Sequence, residues 1–313
     1  MLGFIFGILS AASFGLADTS TRRGVLKGTV TQALFVSVTL GVPLFLVAAA
    51  ISGQLFHANL ITSKGYLLLA AAGIVHFIGG RYCNYRTISA IGATRAAPIS
   101  TVQLPYSVIV AAIFLGERVT PLMTIGILLV MVSPLILFEQ RKKERVIAGG
   151  STDAPSAVSA DLVPPIRQAE GYFFGILGAI AYGTSPILIK AALENNGLGI
   201  YGGFVSYVAA AGVVLVMLAF PGGLRVFQSI EKKAMPWFVI TTVMVFFAQM
   251  FRFAALAITS VTIVATLQRL SGVFVLIFAF MFNRHLEKFS WRVVAGIFLA
   301  VGGAVLLAIG KYL

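Results

Sequence analysis

Gly3-Phe4-Ile5-Phe6-Gly7-Ile8-Leu9 returns as Gly171-Tyr172-Phe173-Phe174-Gly175-Ile176-Leu177, 168 residues further on, and Phe14-Gly15 returns at the same shift as Tyr182-Gly183. Near the far end, Glu117-Arg118-Val119-Thr120 with Gly126 matches Glu287-Lys288-Phe289-Ser290 with Gly296, at a shift of 170. Apolar Gly/Phe/Ile runs resemble one another in many chains. A second match at nearly the same offset, in a charged turn, points instead to a duplicated unit. Between the copies the texture changes: Arg141-Lys142-Lys143-Glu144-Arg145 leads into a Ser/Ala/Pro/Asp stretch ending in Pro164-Pro165. That composition reads as a solvated linker. The expected organisation is therefore a first half at 1–138, a polar basic linker at 139–170 and a second half at 171–313.

Composition says what solvent the halves are built for. Of 313 residues, 59% are hydrophobic and 11% charged, yet the net charge is +13. A soluble nucleic-acid binder carries such charge on a polar surface, and this chain has too few polar residues to cover a soluble globule of its size. The apolar content also excludes disorder. Cys83 is the single cysteine, which excludes a disulfide framework and a cysteine-based metal site.

Apolar runs of about 20 residues cross the hydrocarbon core as helices. Ten are expected, at Leu2–Ala17, Thr31–Ile51, Gly65–Tyr85, Thr94–Phe114, Pro121–Phe138, Gly171–Ala192, Tyr201–Phe220, Pro236–Ile258, Val261–Phe282 and Trp291–Ile309. The first is read as a retained helix and not a signal peptide: no basic residue precedes it, Arg22 and Arg23 follow it, and Gly171 onward repeats it. The fold class is an all-α integral membrane protein. The alternation of barrel strands is missing.

A five-helix half begins and ends on opposite sides of the bilayer, so its copy is expected upside down. Charge agrees. Arg22, Arg23, Lys27, Arg86 and Arg95 sit in connections 1–2 and 3–4, whereas only Lys64 and Arg118 sit in 2–3 and 4–5. In the second half the bias flips, with Arg225, Lys232, Lys233, Arg284, Lys288 and Arg292 in 7–8 and 9–10. Inverted-topology repeats carry this signature. Most of the 23 basic residues then share the linker's face, which the positive-inside rule makes cytoplasmic, with both termini outside.

Two five-helix halves, each closing with a Glu-bearing turn before a Gly-bearing helix, resemble the EamA group of the drug/metabolite transporter superfamily. The resemblance rests on Gly116-Glu117-Arg118-Val119-Thr120 through Gly126 and on Glu287-Lys288-Phe289-Ser290 through Gly296. Pro105 sits where the family often has a proline in its fourth helix. Thr87-Ile88-Ser89-Ala90 and Ala257-Ile258-Thr259-Ser260 resemble the family's 3–4 and 8–9 turns. The chain departs from the pattern in having no proline between Val261 and Phe282. The resemblance covers nearly everything outside the linker and implies solute transport by alternating access around a central cavity lined mainly by helices 3, 4, 8 and 9. Family substrates include amino acids and other small metabolites, with sugar phosphates and nucleotide sugars in more distant branches.

Polar residues inside the spans are the candidate site. An arginine at a helix centre costs roughly 2.5–3.5 kcal/mol on insertion scales, so it faces a cavity, finds a partner or snorkels to a helix end. Arg81, Arg252 and Arg269 fall in spans 3, 8 and 9, which contain no acidic residue. Guanidinium groups hold carboxylate or phosphate, so an anionic or zwitterionic solute is expected, an amino acid among the choices. Gln249 shares a helix face with Arg252, as Asn84 does with Arg81. Gln268, Tyr82, Tyr85, Gln103 and Tyr106 are further substrate-binding candidates, helix packing being the plain alternative for each. Ser185-Pro186 is expected to break helix 6 and free backbone groups. The Gly3/Gly7 and Gly171/Gly175 spacings are read as close helix packing.

Asp18 is the only acidic residue near the interior of a span, and His76 stands isolated; they are the candidates for ion coupling. A proton-driven exporter of cationic drugs needs a buried carboxylate that swaps proton for drug, so arginine without acid argues against that class. An intramembrane enzyme needs clustered titratable groups, whereas His57, His76 and His285 lie far apart. A non-transporting sensor or scaffold would lack a polar cavity. The expected partners are a small-molecule substrate and the lipid bilayer, with no nucleic acid, cofactor or metal.

Overall fold

The computed structural model describes residues 2–115, 120–132, 166–193, 197–287 and 290–310. All regular structure among them is helical. Short helical turns at Gln54–Leu60 and Gly223–Gln228 aside, the helices in chain order are α1 (Leu2–Val25), α2 (Val30–Ile51), α3 (Ser63–Ile91), α4 (Ala93–Phe114), α5 (Pro121–Val132), α6 (Gln168–Leu193), α7 (Gly199–Ala219), α8 (Met235–Ile258), α9 (Val261–Phe282) and α10 (Trp291–Gly310). Eight helices among the described residues are long and apolar enough to cross a membrane. The other two, α5 and α10, carry shorter apolar stretches where the fifth and tenth spans are expected. The Glu117 turn, residues 133–165 of the linker region, and Lys288 lie outside the described residues.

Local signals set the ends. Thr29 and Gln32 form a capping box at the start of α2: Gln32 N donates to Thr29 Oγ1 at 3.2 Å and Thr29 N to Gln32 Oε1 at 2.8 Å. Thr62 caps α3 through Gly65 N at 3.1 Å, and Ser260 caps α9 through Ile263 N at 3.4 Å. Helices α1 and α3 outrun their apolar runs. Thr19, Ser20, Thr21 and Arg22 lengthen α1, and Thr87 lengthens α3, because each is buried against protein. Hydropathy assigns such residues to water; packing keeps them in the helix.

Each half buries its first helix on the other half. Helix α1 lies against α8 and α9, while α6 lies against α3 and α4. Glycines make this approach possible. A Cβ on Gly7 would stand 2.5 Å from Leu267 Cδ1 of α9, and one on Gly175 would stand 2.6 Å from Ile99 Cγ2 of α4. Opposite faces carry exposed apolar side chains such as Leu67, Phe114, Phe173 and Phe298, as a bundle facing lipid requires.

Three helices depart from regular α geometry in mid-bundle. Helix α3 widens to a π-helical stretch at Ile74–Gly80, the kind of bulge that recurs at functional sites. Helix α4 is interrupted after Ser100 and resumes at Gln103. Helix α9 tightens to one 3-10 turn at Gln268–Leu270, although it has no proline. The break expected at Ser185-Pro186 does not occur, since α6 runs unbroken from Gln168 to Leu193 with Pro186 inside it. The proline nevertheless leaves the carbonyl four residues earlier, Tyr182 O, without its helical donor.

Candidate functional site

The irregular stretches of α3, α4 and α9 meet α1, α6 and α8 around a central cavity with about 630 Å³ of empty space. Ten of the sequence-predicted residues line it: Asp18, His76, Arg81, Asn84, Tyr85, Gln103, Gln249, Arg252, Gln268 and Arg269. Phe14, Ser100, Tyr182, Val245 and Ser271 complete the wall. All three arginines are buried, at 2% exposure for Arg81, 1% for Arg252 and 7% for Arg269.

The arginines are held in different ways. Arg81 donates from Nη1 to Ser37 Oγ at 2.7 Å and from Nη2 to Tyr207 OH at 2.8 Å. Its guanidinium carbon also lies 4.8 Å from the Phe77 ring centre and 5.3 Å from that of Tyr207. Arg269 donates from Nε to Ala265 O (3.2 Å), from Nη1 to Ser100 O (2.9 Å) and from Nη2 to Gln103 Oε1 (3.2 Å). The interruption of α4 exposes the Ser100 carbonyl for this purpose. Gln103 Nε2 in turn donates to Tyr182 O at 3.1 Å, so the carbonyl released by Pro186 is used.

Arg252 belongs to a four-residue network. It donates from Nη1 to Gln249 Oε1 at 3.1 Å and from Nη2 to Ser185 Oγ at 2.9 Å. His76, isolated in sequence, joins them: Nδ1 is 2.7 Å from Ser185 Oγ and Nε2 is 2.6 Å from Gln249 Nε2. These contacts close with Gln249 donating to Nε2 and the ring proton on Nδ1, a tautomer assigned from the network. The π-helical stretch of α3 sets the ring at this crossing with α6 and α8. Ser185 thus acts behind the wall, through Arg252 and His76. Arg252 Nε and Gln268 Nε2 are buried without a partner.

On the α1 side, Asn84 Nδ2 donates to Asp18 Oδ1 at 3.0 Å. The carboxylate that sequence leaves alone at the end of a span is therefore on the same cavity as the arginines. Tyr82 and Tyr106 are not brought to the wall. Tyr82 packs on Phe174, their centroids 6.1 Å apart, and Tyr106 OH lies 3.0 Å from Thr184 Oγ1. Among the described residues no group of histidine, cysteine and carboxylate side chains is spaced to hold a metal.

Sequence reasoning passed over Tyr182, Ser37 and Tyr207. Tyr182 was within reach, since it stands 168 residues after Phe14, at the shift of the first sequence match, and both line the cavity. Ser37 and Tyr207 lie in apolar runs with no local mark of a role. Also unforeseen is how α4 is anchored at its start. Glu287 Oε1 accepts from Ala93 N at 2.9 Å, and Oε2 accepts from Thr94 N at 3.3 Å and Thr94 Oγ1 at 2.7 Å. A side chain from beyond α9 thereby caps α4. Arg22 Nε lies 3.8 Å from Glu287 Oε1, and its Nη1 donates to Ile88 O (3.1 Å) and Ser89 O (3.0 Å) at the end of α3. Gly92 turns between the two helices at φ +88°, where a Cβ would meet Glu287 Oε2 at 2.6 Å. Arg23 fastens the same end of α1 to Asn283 Oδ1 at 2.6 Å and to the Phe282 carbonyl.

Among curated proteins, none matches this chain. Among solved structures, a crystal structure of a protein superposes with a TM-score of 0.63 at 15% identity, covering 98% of this chain and 96% of that one, a likeness of fold. The model of the EamA-like transporter family matches residues 1–138 and 169–309. With a membrane-type helical bundle and a match over nearly its whole length, the chain belongs to the EamA-like transporter family of the drug/metabolite transporter superfamily.

Proposed function

We propose that the protein is a secondary transporter that exports a small polar metabolite, an amino acid or another anionic or zwitterionic solute, by alternating access around the central cavity. In this reading ten helices form two inverted five-helix repeats, at 1–138 and 171–313, joined by a linker at 139–170. The protein sits in a bacterial inner membrane with the linker cytoplasmic. The observation that carries the reading is the cavity itself: Arg81, Arg252 and Arg269 line it against one carboxylate, Asp18. Buried guanidinium groups in a membrane bundle mark a pathway for a compensating anion. The mutual docking of α1 on α8 and α9, and of α6 on α3 and α4, supports an inverted pair, since each half then meets the other through equivalent helices. Asp18, with Asn84, is the candidate for ion coupling in this scheme; His76 serves the Arg252 network instead.

The test is uptake of labelled amino acids and organic acids into proteoliposomes. Arg252→Ala and Arg269→Ala are expected to lower transport about tenfold or more, because each removes charge-assisted hydrogen bonds. Unchanged transport in both variants refutes the reading. An organic-phosphate or nucleotide-sugar exchanger of the same superfamily is the competing class, and labelled phosphate esters in the same assay separate it.

A further inference from the structure

We propose that the group recognised in the cavity is a single carboxylate, seated on Arg252 Nε of α8 and Gln268 Nε2 of α9. The inference rests on the transporter reading above and deepens it, because it assigns different tasks to arginines that otherwise look alike.

The N–H donors decide the matter. Arg269 has all three nitrogens on protein acceptors, Ala265 O, Ser100 O and Gln103 Oε1. Arg81 has both terminal nitrogens on hydroxyl groups and its plane beside two rings. Both therefore supply charge to the cavity while their strongest donors stay engaged. Arg252 differs. Its terminal nitrogens are engaged, but Nε is buried and unpartnered, and so is Gln268 Nε2. A buried donor without an acceptor is destabilising. Tyr85 OH is also without a partner in this wall, and Arg252 Nε and Gln268 Nε2 are the two N–H donors in that position. A solute bringing acceptors to both recovers that loss.

The shape and charge of the acceptor follow. A carboxylate offers two oxygens in one plane, matching one guanidinium N–H and one amide N–H. A phosphate monoester brings three peripheral oxygens and a second charge. Of the groups left without a partner in the wall only Arg252 carries charge, no lysine lines the cavity, and Asp18 faces the same space with one neutral donor, Asn84. A second negative charge would be set against that carboxylate.

The experiment is thermal unfolding of the purified full-length protein with matched probes at millimolar concentration. The probes are L-leucine and L-leucinamide, benzoate and benzamide, and phenyl phosphate. Binding to the folded state raises the midpoint. A carboxylate probe is expected to raise it, and its amide partner and phenyl phosphate are not. Gln268→Leu removes one open donor without altering charge, and Arg252→Lys keeps charge while removing Nε. Each is expected to weaken the carboxylate response about tenfold or more. Should Arg252→Lys fail to fold, Gln268→Leu carries the test alone. A carboxylate response that survives Gln268→Leu overturns the proposal, as does stabilisation by phenyl phosphate alone or by no carboxylate probe. Proteoliposome uptake separates the two readings. A carboxylate that stabilises but is not transported leaves the headgroup assignment standing and refutes transport. A phosphate ester that stabilises and is transported does the reverse.

Discussion

Replacing Glu287 by alanine should damage the protein more than its place in a turn suggests. The carboxylate accepts from Ala93 N, Thr94 N and Thr94 Oγ1, and it is the acidic partner of buried Arg22. Loss of a helix N-cap costs about 0.5–2 kcal/mol. Removing one member of a buried ion pair costs about 3–5 kcal/mol, since the remaining charge stays in a medium of low dielectric. Arg22 retains Ile88 O and Ser89 O, so the lower end applies and Glu287→Ala should cost about 3 kcal/mol in all. Glu287→Gln keeps one carbonyl acceptor and the shape, and about 1–2 kcal/mol is expected. The assay is reversible unfolding in mixed detergent micelles, run as a double-mutant cycle with Arg22→Met. A coupling of about 1–3 kcal/mol is expected for groups in one network. If Glu287→Ala unfolds within about 0.5 kcal/mol of the parent protein, or the two substitutions are additive, then the cap and the pair do not hold the α3–α4 turn.

Two further outcomes are expected. Gly7→Ile drives a branched side chain into Leu267, whose Cδ1 would stand 2.5 Å from the new Cβ; a loss of about 1–3 kcal/mol is expected in the same unfolding assay, and an unchanged midpoint would mean that α1 and α9 are not in close contact. For orientation, a reporter fused at residue 155 should be active only in its cytoplasmic form, and periplasmic activity would reverse the assignment.

Hydropathy carried the fold a long way because lipid is a uniform solvent, and a run that suits it need not know its neighbours. It failed where the neighbour is protein. Residues 18–25 of α1 read as a polar exit from the membrane, yet Thr19, Ser20, Thr21 and Arg22 are buried against other helices. Pro186 shows the complementary limit: its chemistry flagged a freed carbonyl, but α6 continues through it and Gln103 takes the carbonyl. Much of the cavity wall was readable because ionisable and amide side chains are rare inside spans. Which way each points was not. His76 is an isolated polar residue in sequence because its partners Ser185, Gln249 and Arg252 lie more than a hundred residues away. Tyr82 and Tyr106 have the right chemistry on faces turned away from the cavity, toward Phe174 and Thr184.

The crossed docking of the two halves bears on how the chain is made. Helix α1 is made well before its main resting place, α8, which lies more than two hundred residues later in the chain. Until α8 and α9 arrive, the buried polar stretch of α1 around Thr19 to Arg22 has neither of those helices to lie against. The cavity wall draws on Phe14 to Gln103 and on Tyr182 to Ser271, so it is complete only once both parts of the chain have come together. Such late, long-range closure is slow and leaves unpaired surface exposed meanwhile. The faces that meet, α1 with α8 and α9 and α6 with α3 and α4, are complementary across the two parts of the chain.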